Sequence, residues 1–526
     1  MPEPSGFLCV DIGTSSMKGA VFSPSGECLR QGRVGLCADP AGGFLYEPVP
    51  KPCSGGEASP SLQPCGLPLP RMHGRAARGA RDQPPLRGFA TPVTPPDHRG
   101  GEIPRRSGTG PSGFSNWNAD AWVAAFGRLV AGLGGPRPEG IAVSGNGPTL
   151  VPLGRDGKPV FPALLWMDQR SAQVPGQPSL FLPKARWLME QRPEVYEKTA
   201  FFLGCPEYLV YCLSGEKTAF SPSPEFSPFV WAGDAFAAFG LDAGKFPPVV
   251  LTARRAGRVG GRAAGAFGFA PGTPVYAAGP DFLMALLGTA AVRPGRCCDR
   301  AGTSEGINVC SQSPAASPKL RCLPHAVPGL WNAAALLPPT GRLFEWFRRI
   351  SGQEGLPHER TLVSILKEEA AGAEPPAFFP FGDGAEGGVF LRGGEKLSPV
   401  EALARHGSGA AGLAVLRAIG FLVRRALADL EAGGFPVEEL RVCGGQARSP
   451  LWNACKANLV GKTLRVPAIP DAELAGGLAV CLCGSGGYGG LAEASQALVR
   501  FAGEYRPEAG KREYYDRLYG EWGIRN

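Results

Sequence analysis

Several things are scarce in this sequence, and each scarcity removes a class of function. Only five of the 526 residues are histidine (His73, His98, His325, His358, His406), and they are scattered without ligand spacing. The 15 cysteines contain no CxxC; the nearest neighbours are Cys297–Cys298 and Cys481-x-Cys483. A zinc site needs clustered nitrogen and sulfur ligands, so none is expected. Dispersed cysteines with apolar neighbours read instead as small core residues in a reducing compartment. No GxxxxGK followed by Ser or Thr occurs, which excludes a P-loop nucleotide site. The longest apolar run, around 282–292, falls short of the ~18–20 residues that span a bilayer. Met1–Ser5 lack the basic start and long apolar stretch of a secretion signal. A cytoplasmic protein without membrane contact is expected.

Charge is scarce too, at 19% of residues, and the net +8 is uneven. Residues 48–112 hold nine Lys/Arg against four Asp/Glu, leaving only +3 for the remainder. That balance is ordinary for an enzyme, so nucleic acid is not an expected partner. The same stretch holds 14 prolines and 10 glycines and has neither helical nor alternating period. Such a segment is normally linker, lid or disorder, and no stable element is expected in it. It reads either as an insertion or as GC-rich coding sequence translated out of phase.

What remains is regular. FLCVDI (7–12) reads as a buried strand, followed by a turn, a second strand at 17–23 and a third at 27–34. Residues 114–130 carry apolar side chains at helical spacing, and 140–144 form a short buried strand. The span 179–214 is mostly helical. PVYAA (274–278) is a strand ending at Gly279-Pro280-Asp281, with a small-residue helix running to Val292. Later come a helix at 408–432, a strand at 440–443, a helix near 450–460, a strand at 463–466 and a helix at 472–484. Strands alternating with helices in both halves predict an α/β protein of two domains, 1–290 and 291–526.

Three turns rich in glycine and hydroxyls share one physical theme. They are Asp11-Ile12-Gly13-Thr14-Ser15, Gly302-Thr303-Ser304 and Gly444-Gly445-Gln446. Glycine admits close backbone approach, and the freed N–H groups and hydroxyls suit phosphate oxygens. Asp11, at a strand end, is able to hold Mg²⁺ through water, and Lys18 to add charge near a phosphate. Taken singly, each is also what an ordinary turn looks like.

Taken together and in order, the segments 11–22, 144–170, 274–295, 299–308, 378–388, 440–467 and 505–519 resemble the FGGY family of carbohydrate kinases. That family lies within the actin-like, hexokinase-like ATPase superfamily, and xylulokinase-like members are the nearest in feel. The resemblance spans 7–37 and 113–526. It implies two ribonuclease-H-like domains closing over a cleft that binds Mg²⁺ and ATP. It casts Asp11, Gly13, Thr14, Ser15 and Lys18 as the first phosphate loop, and Gly302, Thr303 and Ser304 as the second. Gly341 and Glu345 resemble the segment beside the phosphates, and Gly444, Gly445 and Gln446 the adenosine loop. Asp281 falls at the family's catalytic aspartate, taking a proton from the attacking hydroxyl, with Asp11 and Asp281 as the carboxylates toward the metal. As a plain residue, Asp281 also reads as a helix cap.

Departures concern the sugar. Xylulokinases carry Met-His after Ser-Gly-Gln, whereas this chain has Ser144-Gly145-Asn146-Gly147. Phe282 stands where a polar residue is common, removing a hydrogen-bond partner for a polyol. Asn146, Gly147, Trp166 and Asp168 are pocket-side candidates, Trp166 reading more readily as core than as contact, and Arg170 is expected to pair with Asp168. The expected activity is ATP-dependent phosphorylation of a sugar or polyol by a small-molecule kinase, a homodimer by family. The alternatives are an actin-like nucleotide-binding regulator and a catalytically impaired relative. Retention of Asp281 together with the adenosine loop favours the kinase.

Overall fold

The computed structural model describes residues 6–36, 116–135, 137–314, 317–380 and 388–523. The proline-rich stretch 48–112 therefore lies outside the described residues, as do 381–387. The apolar opening run forms β1 (Phe7–Ile12), buried along its whole length. A strand covered on both faces needs no polar alternation. Tight turns lead to β2 (Ser16–Phe22), antiparallel to β1, and to β3 (Cys28–Gly35), antiparallel to β2. The mostly exposed pattern of β3 marks it as the sheet edge. Helix α1 (Asp120–Gly132) precedes β4 (Gly140–Gly145), which pairs parallel with β1. Then follow α2 (Cys205–Ser214), β5 (Arg255–Arg258) and β6 (Pro274–Pro280), completing a sheet of order β5-β6-β4-β1-β2-β3. From β6 the chain runs straight into α3 (Asp281–Gly288).

A second sheet repeats the plan. It comprises β7 (Cys297–Ala301), β8 (Glu305–Ser311), β9 (Arg321–Pro324) and β10 (Trp331–Leu336), then β11 (Glu439–Cys443), β12 (Thr463–Pro467) and β13 (Phe501–Tyr505). Their order is β9-β10-β8-β7-β11-β12-β13. Each sheet is an antiparallel meander, then two parallel strands, then an antiparallel edge strand. This duplication is the two-domain α/β architecture expected from the sequence. Helices α4 (Thr340–Ile350), α5 (Pro399–Ala432), α6 (Pro450–Val460) and α7 (Ala472–Gly484) belong to the second half. Ser398 caps α5 through a capping box with Glu401, and the helix breaks at Gly407 (φ 75°), just before the start expected at Ser408.

Three boundaries differ from expectation. Asn116–Trp117 pairs with Ala163–Leu164 as a short strand, and α1 begins only at Asp120, whose N–H is taken by the Asn118 side chain. The helical stretch at 179–214 is interrupted by Phe201–Leu203, which pairs with Val151–Leu153. Helix α3 stops at Gly288 and not at Val292, because the chain reverses at Ala290 (φ 52°).

The halves are joined by crossing helices. Apolar residues of α3 (Leu283, Met284, Leu286, Leu287) and α7 (Leu474, Leu478, Val480, Cys481) lie in one buried cluster with Cys9 and Ala142 of the first sheet and Cys298 and Cys443 of the second. Glycine sets how closely the helices approach. A Cβ on Gly288 would lie 1.8 Å from the Ala472 carbonyl oxygen, and one on Gly476 would lie 2.0 Å from that of Met284.

Candidate active site

The first wall of the site forms where β1, β4 and β6 end. Asp11 is buried at the end of β1, and its Oδ1 accepts the Ser144 hydroxyl at 2.8 Å. Burial, reinforced by the nearby charge of Glu473, pushes its carboxyl up to about 7. The following turn closes through a Gly13 N–H bond to the Ser16 carbonyl at 3.0 Å, leaving Thr14 and Ser15 exposed. Lys18 sits opposite Asp11 in the β1–β2 register, but its Nζ is engaged with Asp471 at 3.3 Å and Glu473 at 3.5 Å. The structure thus gives this lysine to the joint between the halves.

Trp166, expected in the core, is 44% exposed. Its indole N–H donates to the Thr14 hydroxyl at 3.3 Å, so a polar partner at the turn holds the ring out of the interior. Asn146 is buried and uses its polar atoms internally. Its amide donates to the Ile12 carbonyl at 3.3 Å, and its Oδ1 accepts from Thr149 at 2.8 Å. It braces the strand ends, while Gly147 packs beside Trp166. Asp168 pairs with Arg170 as expected, at 2.7 Å.

Asp281 starts α3. Its Oδ1 accepts the N–H of Phe282 at 2.7 Å, and its Oδ2 meets Arg300 Nη2 at 2.9 Å. The carboxylate remains 24% exposed. Phe282 is half-buried against the core beside it.

The second wall is built from three loops in mutual contact. The Gly302 N–H reaches the Ser304 carbonyl at 3.1 Å, leaving Thr303 and Ser304 exposed, much as the first turn leaves Thr14 and Ser15. A Cβ on Gly341 would lie 2.2 Å from the Gly302 carbonyl oxygen, and one on Gly444 (φ 91°) would lie 2.7 Å from that of Ala301. Only glycine permits such backbone contact. Gln446 acts as a strut, donating to the Gly302 carbonyl and to Thr340, each at 3.2 Å, and accepting from the Trp452 indole at 3.0 Å. Gly445 lies beside it with open space around its α-carbon. Glu345, one turn along α4, is half-exposed and paired with Arg348 and His358.

Sequence reasoning missed the charges that join these pieces. Arg300 and Glu473 link the walls; Asp471 ties Lys18, Arg33 and Arg448 together. Beneath the second turn, Lys456 is fully buried between Asp299 and Glu305, and Glu305 also accepts from Thr340. Among the described residues, no group of three or more His, Cys, Asp or Glu is arranged to hold a metal, and no helix is long and apolar enough to cross a membrane.

Comparison with known proteins bears on this geometry. The family model for the FGGY family of carbohydrate kinases, N-terminal domain, matches residues 174–288, and that for the C-terminal domain matches 300–484. Together they cover more than half of the chain. The autoinducer-2 kinase of Enterobacter sp. (strain 638) is 27% identical over 359 residues, which is 65% of this chain and 68% of that protein. That of Escherichia coli (strain K12) is 26% identical over 361 residues, with 65% and 68% covered. Among solved structures, the xylulose kinase from Rhodospirillum rubrum superposes with a TM-score of 0.70 at 20% identity, over 98% of this chain and 97% of that one. The gluconate kinase from Lactobacillus acidophilus gives 0.70 at 14% identity, over 99% and 97%. At these identities the superpositions speak for the fold.

Proposed function

This chain belongs to the FGGY family of carbohydrate kinases and phosphorylates a sugar with ATP; on that premise we propose that Asp281 is its base. The observation that carries the reading is the placement of Asp281. The carboxylate follows a strand end and is still solvent-accessible; it pairs with Arg300, two residues before the second turn, and lies near enough to Asp11, two residues before the first, for its charge to act there. A base must lie within hydrogen-bond reach of the proton it takes, and a carboxylate at the floor of a cleft meets that need. The turns at 13–15 and 302–304 would hold the phosphates through backbone N–H groups and hydroxyls, with Gly341, Gly444 and Gly445 shaping the nucleotide side. Residues 1–290 and 291–526 would then be the two domains, with α7 of the second packed on the first.

Mg²⁺ fits the same place. Asp281 lies close enough for its charge to raise the carboxyl of Asp11, and a divalent cation between them relieves that repulsion. When bound, the metal neutralises charge on the transferring phosphoryl group. Asp11 and Asp281 are the residues that would hold it, directly or through water, and Lys18 and Glu345 would act only through their ion pairs.

The acceptor is a small sugar or polyol. With Phe282 beside the base and Asn146 spent inside the protein, the pocket offers fewer side-chain partners to hydroxyls than the sequence suggested. A panel of pentuloses, hexuloses, polyols, gluconate and autoinducer-2, read by ADP release, identifies it. Asp281→Asn should still bind ATP, with a weaker dependence on Mg²⁺, and lose at least ~10²–10⁴-fold in turnover, the usual contribution of general-base catalysis. An Asn variant that turns over at the wild-type rate would sink the assignment. The scattered cysteines favour a reducing, cytoplasmic setting. A homodimer is testable by light scattering.

A further inference from the structure

We infer that Arg300 is a positioning residue for phosphoryl transfer, fixing the carboxylate of Asp281 from the opposite wall of the cleft. The inference rests on Asp281 being the base. Alternation along β7 separates two charged neighbours. Asp299 points into the buried interior, where it meets Lys456, so Arg300 is turned to the other face. There Nη2 reaches Asp281 Oδ2 at 2.9 Å and Glu473 Oε1 at 3.6 Å. One guanidinium thus touches the first residue of α3 and the first turn of α7, the two helices that cross between the halves.

The other oxygen of Asp281 is taken by the Phe282 N–H at 2.7 Å. The carboxylate is therefore anchored at both oxygens, one by its own helix and one by Arg300. An aspartate at a helix start otherwise samples several rotamers, and a base that must meet a bound hydroxyl loses rate when its lone pair is misaligned. Each carboxylate oxygen accepts more than one hydrogen bond, so the anchors leave room for the substrate proton. Arg300 is also 27% exposed and lies two residues before Gly302, so its charge adjoins the phosphate turn. Its Nε is buried and makes no hydrogen bond among the described residues.

The test compares Arg300→Gln, Arg300→Lys and Asp281→Asn in the full-length chain, with the acceptor found by the panel. Hydrogen bonds to charged groups set the scale, so Arg300→Gln should lower kcat roughly ten- to a hundredfold. The KM for ATP should change far less. Arg300→Lys, which keeps the charge without the planar fork, should recover part of the rate. Methylguanidinium added to Arg300→Ala should restore activity in a concentration-dependent way without raising the melting midpoint. Wild-type kcat in Arg300→Gln would overturn the inference. So would rates that fall only in step with the melting midpoint, with no rescue. Should Gln prevent folding, the Lys variant and the rescued Ala variant carry the decision. If Asp281→Asn is inactive while Arg300→Gln is not impaired, this inference alone fails; if Asp281→Asn is active, the reading of the base fails.

Discussion

At the scale of single residues, a side chain that sequence reasoning passed over has a measurable signature. Glu207 is buried in the first turn of α2; its Oε1 accepts the Phe220 N–H at 3.0 Å, and its Oε2 has no partner among the described residues. Burial pushes this carboxyl up to about 7, against the pull of the backbone N–H groups that bind it. The folded state then holds a proton that the unfolded chain releases at its ordinary value of 4.5. The contribution to stability is fully present below that value and is lost as pH rises through about 7, with a span on the order of 3 kcal/mol. Glu207→Gln keeps the shape and removes the titration. Urea titrations at pH 5 and pH 8 should show wild type weaker at pH 8 and the Gln variant losing less between the two, the remainder coming from carboxyls such as Asp11 that burial raises in the same sense. Equal slopes in both proteins would mean that another group titrates. The turns and Asp281 were legible because their signals are local: glycine and hydroxyls at strand ends, and an acid opening a helix. Partners distant in sequence were not. Lys456 and Asp299 lie 157 positions apart, and no spacing rule connects them.

At the scale of elements, strands and helices were readable where an apolar period ran unbroken, as in β1, β4, α6 and α7. Their ends fell within a residue of expectation; other ends did not, because tertiary contacts decide them. Helix α3 ends early where Arg441 takes the carbonyls of Thr289 and Ala290 at 2.9 and 2.8 Å. The crossing of α3 and α7 likewise depends on Gly288 and Gly476, which looked in sequence like mere small residues. Gly476→Ala places a methyl 2.0 Å from a backbone oxygen that cannot turn aside. Overpacking of this kind typically costs ~1–3 kcal/mol, and more where backbone must move. Thermal denaturation should show a loss of about 3 kcal/mol; an unchanged midpoint would mean the helices part freely. The second element-level test is Lys456→Met. It leaves Asp299 and Glu305 buried without their cation, a break that commonly costs ~3–5 kcal/mol. Because Glu305 binds Thr340, and Thr340 binds the Gln446 strut, ATP affinity should weaken together with stability. Retained affinity in a destabilised variant would show that the strut stands without the triad.

At the scale of the whole molecule, the repeated sheet plan follows from alternating strands and helices, but nothing local says how the two halves are held. The structure uses a buried core between α3 and α7, and beside it a set of ion pairs centred on Asp471. That carboxylate is almost wholly buried just before α7, yet it meets Lys18 at 3.3 Å, Gln31 at 2.6 Å and Arg33 at 3.1 Å, all from β2 and β3 of the first sheet. Arg448, from the loop after β11, completes the ring. Burial works against the charge, but Lys18, Arg448 and Arg33 outweigh it and hold Asp471 below the usual carboxylate range. A lowered value means that this contribution is present above the unfolded 3.8 and disappears as pH falls through the folded value. Asp471→Asn keeps the volume and removes the charge, leaving Arg33 and Arg448, which are about half exposed, to solvent. Their exposure tempers the loss, which should be about 2–3 kcal/mol at pH 7, below the usual range for breaking a fully buried pair. As pH falls below 3.8 the gap between variant and wild type should shrink, since the wild-type carboxyl loses its charge once its lowered folded value is passed. High salt at pH 7 should narrow it only in part, because screening reaches the exposed arginines more than the buried acid. No gap at pH 7, or a gap that does not shrink in acid, would assign the joint to the crossing helices alone.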